Sequence, residues 1–228
     1  MSERSGLGPV ELAVLSAAAG GGDGFRRSAD VLADVQRACG LGPAYSYPLL
    51  CDLARPWKLL TPLIDGNGNF GSPGNDPAAA PRYTECRPSA LGALALAAES
   101  GGVSPLPIGL VVGNLYSGGI RPGLGAAAVA DALDRLTRGD TLIGGGTLDG
   151  FWPPVLPGGC AVTGDDVAYG RGDVTTLRLD ARISVEPSRR AGAIDLAITA
   201  VPYDVNPDDL AQTLVGIRNA IRRDAEFA

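Results

Sequence analysis

The sequence predicts an α+β fold in two domains, the first spanning residues 1–104 and the second residues 105–228. Two observations lead to this prediction. Apolar residues recur at helical spacing in several short segments of the first half, and a stretch rich in glycine, asparagine and proline follows them. The second half contains two segments in which apolar and polar residues alternate, as in strands with one buried face.

Three short helices are expected to open the chain. Pro9 suits a first helical turn, and Ser28 is the expected N-cap of a second helix. A third helix is expected over about 44–53, although Pro48 disfavours it. Residues 65–81 are almost all turn formers, so an ordered loop or wing is expected there and not a regular element. Such an arrangement suits a winged-helix unit, which can place a helix in a DNA groove.

Further elements are expected along the rest of the chain. Helices are predicted over 88–99 and 126–138. The alternation over 174–185 and 194–198 predicts a β-hairpin with one buried face. Asn206 is expected to cap a final helix. The apolar residues on its expected inner face are Leu210, Leu214, Ile217 and Ile221.

The composition excludes several kinds of site. The chain has no histidine, which rules out Ser-His-Asp and Cys-His catalysis and HExxH zinc sites. Its 4 cysteines show no CxxC spacing, so no zinc ribbon is expected and the thiols are expected to be reduced and packed. No apolar run is long enough for a transmembrane helix or a secretory signal, so we expect a cytoplasmic location and no membrane partner.

The net charge limits how the chain could bind nucleic acid. The formal charge is -6 and the sequence pI is about 4.7. Proteins that bind DNA usually carry a basic surface, because cationic side chains neutralise the charge of the backbone phosphates. Any DNA binding must therefore come from a local patch or from the charge of a partner.

Two motifs in fixed order carry the most specific signal. Residues 63–72 read LIDGNGNFGS, and residues 76–87 read DPAAAPRYTECR. This region resembles the DNA-cleavage core of the type IIA topoisomerase A subunits, which are found in DNA gyrase and topoisomerase IV. That family reads close to VDGQGNFGS followed by AAxRYTExR. Weaker agreement over residues 28–42, 52–57 and 201–206 extends the resemblance along nearly the whole chain.

The resemblance implies a fold and a set of functional residues. It implies a winged-helix domain followed by a tower-like α/β domain, here without the exit-gate coiled coil. Tyr83 would be the tyrosine that becomes linked to DNA, and Arg82 the cation beside it. The residues that would contact DNA are Arg87, Arg55, Lys58, Asn69 and Ser72.

The resemblance also implies partners and a cofactor. The reaction would be breakage and rejoining of DNA by transesterification. Its Mg²⁺ ions would come only through the TOPRIM domain of a B-type subunit, and this chain would bind no metal itself. The expected partners, at the nucleoid, are DNA and a gyrase B-type or other topoisomerase subunit. A homodimer through the DNA-gate face is also allowed by the resemblance.

Departures from the family pattern keep a second hypothesis open. The family motif LKPVHRRVL corresponds to residues 7–15, which retain the spacing but none of the cations, and HPHGDS corresponds to residues 39–44. The alternative is therefore a non-catalytic paralogue that modulates or protects a topoisomerase by binding DNA or one of the enzyme's subunits. In that case Tyr83 would be an ordinary loop tyrosine. Arg82 and Arg87 could then pair with Glu85 or Asp76.

Overall fold

The computed structural model describes residues 7–59, 61–101, 115–116, 119–120, 158–164, 178–190, 192–202 and 205–226. Within these residues the chain mixes helices with small antiparallel sheets, so the predicted α+β class is confirmed. The helix predicted over 126–138 and the boundary predicted at residue 104 lie outside the described residues. No described helix is both long enough and apolar enough to cross a membrane.

The first three described helices are α1 (Pro9–Ala19), α2 (Ser28–Cys39) and α3 (Pro43–Ala54). The predicted start at Pro9 is confirmed; its fixed φ and missing N–H suit that position. The prediction that Ser28 is the N-cap is wrong. Arg27 is the cap, and Ser28 is the first helical residue, with its side chain turned into the core. Pro43 begins α3, which contains the exposed Pro48.

The hydrophobic core lies between these helices and a small sheet. Its aliphatic side chains are almost fully inaccessible to water, and each such burial stabilises the fold by about 1.5–3 kcal/mol. The largest of them are Leu7, Val14, Leu15, Val31, Leu32, Val35, Leu50, Leu63 and Ile64.

The sheet has the strand order β1-β3-β2 and is antiparallel. Its strands are β1 (Arg26–Arg27), β2 (Ile64–Asn67) and β3 (Glu85–Pro88). The expectation that residues 65–81 hold no regular element is wrong at both ends, because residues 65–67 belong to β2 and Pro81 begins a 3-10 turn. Pairing with β3 places Asp65 opposite Arg87, and such cross-strand partners override a turn-forming composition. Residues 68–80 are irregular, as predicted.

Helix α4 (Ala90–Glu99) closes the first half. It begins two residues later than the predicted start at Pro88, because Pro88 ends β3 and Ser89 is the N-cap. The Ser89 hydroxyl accepts a hydrogen bond from the Gly92 N–H at 3.1 Å, which satisfies one of the unpaired donors at the helix start.

The described residues of the second half form three two-stranded ladders. One continuous strand was predicted over 174–185. In the described part of this range, Ala181 separates two strands, and each of them pairs with a different partner strand. The hairpin of the last two strands is confirmed. The paired strands are β4 (Leu115–Tyr116) with β5 (Gly119–Ile120), β6 (Ala161–Thr163) with β7 (Arg178–Asp180), and β8 (Arg182–Pro187) with β9 (Ile194–Ala200).

The prediction that one face of this hairpin is buried is wrong. Cross-strand apolar pairs join Ile183 to Ile198 and Val185 to Leu196. All four side chains are exposed, Leu196 by 67%. We call this surface the hairpin face. The alternation correctly placed these residues on one side of the ladder, but a sequence pattern does not identify the surface that would cover them.

The last described element is helix α5 (Pro207–Glu226). The predicted cap is confirmed, because the Asn206 Oδ1 atom accepts a hydrogen bond from the Asp208 N–H at 2.8 Å. The predicted inner face is wrong for Leu214, Ile217 and Ile221, which are all exposed, Ile221 by 63%. We call these three residues the helix face. Leu210 is half-buried.

Candidate functional site

Tyr83 ends a 3-10 turn that runs over Pro81–Tyr83 between the irregular loop and β3. The turn is closed by a hydrogen bond from the Tyr83 N–H to the Ala80 carbonyl at 2.8 Å. The Tyr83 side chain is 66% exposed. The guanidinium carbon of Arg82 lies 4.5 Å from the centre of the Tyr83 ring, which is within the range of a cation–π contact. The predicted nucleophile and its predicted cation are therefore brought together at the surface.

Below this exposed pair lies a buried polar network. Thr84 follows Tyr83 directly and is fully buried, as is Ser28. The Thr84 hydroxyl donates to the Ser28 hydroxyl at 2.8 Å, and the Ser28 N–H donates to the Thr84 carbonyl at 2.8 Å. The Tyr47 hydroxyl lies 3.2 Å from the Thr84 hydroxyl and donates to the Ala79 carbonyl at 2.5 Å. These bonds tie the segment that carries Tyr83 to helices α2 and α3.

The glycine-rich loop approaches the same segment from the other side. Gly68 has φ of 108°, a conformation that L side chains rarely adopt, and an added Cβ would lie 2.9 Å from the Tyr83 carbonyl oxygen. Asn69, predicted to contact DNA, accepts a hydrogen bond on its side chain from the Gly71 N–H at 2.7 Å. Its carbonyl accepts from the Ala79 N–H at 3.0 Å. Asn69 thus shapes the loop, and its side chain is at the surface.

The cation Arg87, predicted to bind DNA, is engaged within the chain. Its Nε donates to Asp65 at 3.2 Å, and its Nη1 donates to the Asp23 carbonyl at 3.1 Å. Its guanidinium also lies 4.7 Å from the centre of the Phe25 ring. Arg87 therefore pairs with Asp65, and not with either of the two carboxylates named in the alternative hypothesis. This partner could have been found from the sequence only by recognising β2.

Three of the residues predicted to bind DNA, Arg55, Lys58 and Ser72, line one cleft of about 560 Å³. Loop residues 73–77 and residues 201–202 and 205–207 also line it. Arg55 donates to Asp52 at 2.8 Å and to the Phe70 carbonyl at 2.8 Å, so its charge is largely balanced within the chain.

The same cleft is bridged to α5 by hydrogen bonds. The Asn75 N–H donates to Asp208 at 2.8 Å. The Asn206 side-chain amide donates to the Asn75 side chain at 2.7 Å. The loop after the glycine-rich motif is therefore in direct contact with the start of the last helix.

Arg27 is a further cation that the sequence motifs did not single out. It lies in β1, is exposed, and is paired in register with Glu85 of β3. Strand β1 also contacts the 3-10 turn that carries Tyr83. Among the described residues neither Arg27 nor Arg82 forms an ion pair. The signal that could have identified Arg27 is the Arg26-Arg27 pair just before α2, read together with the β1–β3 pairing.

Burial controls the protonation of the groups behind Tyr83. Burial raises the pKa of the Cys86 thiol from 9.0 to about 11, although hydrogen bonding to Ser28 opposes the rise. Burial also raises the pKa values of Cys51 and Tyr47. All three groups are therefore protonated at neutral pH. The prediction of packed thiols is confirmed for Cys51, Cys86 and Cys160, whereas Cys39 is exposed.

Comparison with known proteins gives this arrangement a context. A family model that describes the A subunits of DNA gyrase and topoisomerase IV matches residues 6–100. The DNA gyrase A subunit of Streptomyces coelicolor is 33% identical over 94% of this chain and 29% of its own length. The same protein of Aminobacterium colombiense is 31% identical over 92% of this chain and 30% of its own length. That of Mycolicibacterium smegmatis is 47% identical over 37% of this chain and 10% of its own length.

These matches first give the class of protein to which the chain is related, which is the A subunits of type II DNA topoisomerases. Within that class, the chain belongs to the family of DNA gyrase and topoisomerase IV A subunits, and it is a divergent member. It spans less than a third of the length of these relatives, for example 29% of the Streptomyces coelicolor protein. The match to residues 6–100 includes the turn with Arg82 and Tyr83.

Proposed function

We propose that this chain breaks and rejoins DNA through Tyr83 when a B-type subunit supplies a TOPRIM domain. The observation that carries the proposal is the exposed Arg82–Tyr83 pair on an anchored turn. The phenol is open to solvent, the guanidinium lies 4.5 Å from its ring, and the next residue, Thr84, is fully buried. A nucleophile at the surface with a fixed backbone can meet a phosphodiester without unfolding the site.

The proposed reaction is a transesterification. The Tyr83 hydroxyl oxygen attacks a DNA phosphorus and gives its proton to a base. A bond from that oxygen to phosphorus forms, and the bond from phosphorus to the 3′ oxygen breaks. The 3′ oxygen leaves and takes up a proton, so the chain is joined to the 5′ phosphate and the step reverses on resealing. Arg82 stabilises the negative charge that develops on the phosphate.

The metal ions of this reaction are assigned to the partner. Mg²⁺ held by a TOPRIM domain would supply charge stabilisation at the attacking and leaving oxygens. Among the described residues of this chain, no group of three or more histidine, cysteine, aspartate or glutamate side chains is arranged to hold a metal ion. In this proposal the chain presents the nucleophile, the cation Arg82 and the surrounding DNA-binding surface.

The proposed DNA-binding surface contains exposed arginines without an ion pair as well as residues that line the cleft. Arg82 and Arg27 are exposed and form no ion pair among the described residues. Arg55, Lys58 and Ser72 line the cleft, where Arg55 orients the loop. In this proposal residues 1–104 act as a winged-helix domain and residues 105–228 as a partial tower-like domain. The protein would act in the cytoplasm, at the nucleoid.

The proposal is tested by covalent capture of DNA. The full chain is incubated with a nicked duplex, Mg²⁺ and a gyrase B subunit, and adducts are resolved on a denaturing gel. We expect an adduct that is lost in Tyr83→Phe and kept in Tyr45→Phe. Tyr45 is a matched control because it is 77% exposed and lies on α3, outside the turn. An adduct that survives Tyr83→Phe would refute the assignment, as would no adduct while an active gyrase A protein succeeds alongside.

A second candidate function is favoured by the exposed apolar surfaces. The hairpin face and the helix face present large side chains to solvent, and the neighbouring Ile194 is 69% exposed. Contiguous apolar surface of this kind marks sites where proteins bind each other. The second proposal is a non-catalytic paralogue that binds a topoisomerase subunit or DNA, with a homodimer as a further arrangement.

The two proposals differ in what Tyr83→Phe does. For the non-catalytic paralogue, complexes with a gyrase A or B subunit on size-exclusion chromatography should be as abundant for Tyr83→Phe as for the unmodified chain. A Leu196→Asp change on the hairpin face should remove them. Complexes that withstand Leu196→Asp and a matching Ile217→Asp change on the helix face would exclude both apolar faces as the binding surface.

A further inference from the structure

One residue of α3 contacts both ends of the segment that carries Arg82 and Tyr83. The Tyr47 hydroxyl donates to the Ala79 carbonyl at 2.5 Å, just before the 3-10 turn. The same hydroxyl lies 3.2 Å from the hydroxyl of Thr84, just after the turn. These two contacts bracket the turn, and both originate from a helix that belongs to the hydrophobic core.

The side chains of the turn itself are not packed into the core. None of the residues Pro81–Tyr83 is buried, and the side chains of Arg82 and Tyr83 are directed to solvent. The position of the Tyr83 side chain therefore depends on how firmly the backbone is held on either side. At the far end the Thr84 backbone is also held by Ser28. At the near end the Ala79 N–H donates to Asn69. Within the turn, the Tyr83 N–H donates to the Ala80 carbonyl at 2.8 Å, and the Thr84 hydroxyl lies 3.5 Å from the Pro81 carbonyl. Tyr47 contacts both ends from outside the segment.

The pKa of Tyr47 determines whether its hydroxyl can donate a hydrogen bond at neutral pH. Burial raises its pKa above the ordinary value of 10.0, while the nearby Thr84 hydroxyl and the positive charge of Arg55 act in the opposite direction. The hydroxyl therefore keeps its proton at neutral pH. It can then donate to the Ala79 carbonyl, which can only accept.

We propose that Tyr47 is a positioning residue whose hydroxyl holds the Arg82–Tyr83 turn in one conformation for reaction with DNA. This inference rests on the proposed transesterification by Tyr83. Tyr47 itself contacts neither the reacting oxygen nor the phosphate. Its loss would leave the turn attached by its remaining bonds but free to sample other conformations, and a nucleophile displaced by about 1 Å can react some hundredfold more slowly.

The first measurement does not depend on catalysis. 3-Fluorotyrosine is placed at position 83 of the full chain, and its ¹⁹F NMR spectrum is recorded for the unmodified sequence, Tyr47→Phe and Tyr45→Phe. We expect one narrow line for the unmodified chain and for Tyr45→Phe, and a broadened or divided line for Tyr47→Phe. Unchanged circular dichroism in all three excludes unfolding as the cause. Identical spectra for Tyr47→Phe and the unmodified chain would overturn the inference.

The second measurement is the rate of covalent capture on a nicked duplex with Mg²⁺ and a gyrase B subunit. We expect Tyr47→Phe to lower this rate about tenfold to a hundredfold while the affinity for the duplex stays within about twofold. Tyr45→Phe should change neither. An unchanged capture rate in Tyr47→Phe would overturn the positioning function. If the unmodified chain forms no adduct, the proposed function fails instead, and the fluorine spectra still decide whether Tyr47 fixes the turn.

Discussion

The substitution Thr84→Val tests the energetic importance of the buried network under Tyr83. The two side chains have similar volume, so the change removes a hydroxyl without opening a large cavity. In the structure that hydroxyl donates to Ser28 at 2.8 Å and lies 3.2 Å from the hydroxyl of Tyr47. Both Thr84 and Ser28 have 0% exposure, so water cannot replace the missing partner.

The expected magnitude follows from these contacts. Loss of an ordinary hydrogen bond lowers stability by about 1 kcal/mol, and a buried hydroxyl left without its partner adds about 1–3 kcal/mol. We therefore expect Thr84→Val to lower the free energy of unfolding by about 2–4 kcal/mol. Ser28→Ala should lower it by about 1–2 kcal/mol, since Thr84 then still has Tyr47 nearby. The double variant should be less destabilised than the sum of the single variants by about 1 kcal/mol.

Urea unfolding followed by the fluorescence of Trp57 measures this quantity. The second tryptophan is removed by Trp152→Phe in every variant, so the signal reports on the part of the chain that contains the network. Thr163→Val is the matched control, because Thr163 is exposed although its hydroxyl donates to Asp180 at 2.8 Å. It should change stability by less than about 0.5 kcal/mol. If Thr84→Val is no more harmful than this control, or if the two single changes add, the reasoning is refuted.

Three further predictions concern pH, backbone conformation and salt. Since burial raises the pKa of Cys86 from 9.0 to about 11, its contribution to stability is complete below about pH 9 and is lost as the pH rises to about 11. That loss is on the order of 2–3 kcal/mol in unfolding titrations, and Cys86→Ala should make it smaller; an unaltered pH dependence would contradict the assignment. Gly68→Ala should destabilise the fold by about 1–3 kcal/mol, because φ is 108° and the added Cβ would meet a backbone oxygen at 2.9 Å. Gly216 on α5 has open space around it, so Gly216→Ala should stabilise the fold by about 0.5–1 kcal/mol. Equal thermal shifts for the two glycine variants would count against the loop geometry. In duplex binding measured against salt, Arg82→Ala should reduce the slope of log K by about 0.9, and Arg87→Ala should leave it unchanged; the reverse order would show that the ion pair with Asp65 opens to bind DNA.

The elements that the sequence predicted well are those fixed by local chemistry. The start of α1 at Pro9 and the cap at Asn206 depend on groups within a few residues, so a pattern search can find them. Ser28 shows where this fails. It has the composition of a cap, but its hydroxyl accepts from Thr84, which is 56 residues away. Strand β2 was missed for the same reason, because its partner β3 is distant in the sequence.

In the candidate site too, the features set by nearby residues were predicted and those that depend on distant residues were not. The motif identified Arg82 and Tyr83, and the structure places them together on one turn. It did not identify Tyr47, because the contacts of this tyrosine with Ala79 and Thr84 span 32 and 37 residues. Nor could the sequence distinguish a cation that meets solvent from one that is already paired. That distinction depends on three-dimensional neighbours.

This distinction changes how the acidic composition should be understood. The formal charge of -6 argued against DNA binding, yet several acidic groups neutralise specific arginines. Asp52 accepts from Arg55, and Asp65 accepts from Arg87. Arg55 lies in the cleft beside the loop and Arg87 lies in the sheet, whereas Arg82, beside Tyr83, has no such partner among the described residues. Because a cation next to the reacting group acts over a few ångströms while the net charge is screened beyond about 10 Å, the local charge at Tyr83 governs the proposed chemistry. The overall charge would instead weaken the initial encounter with DNA, because a negatively charged chain repels the phosphates at long range.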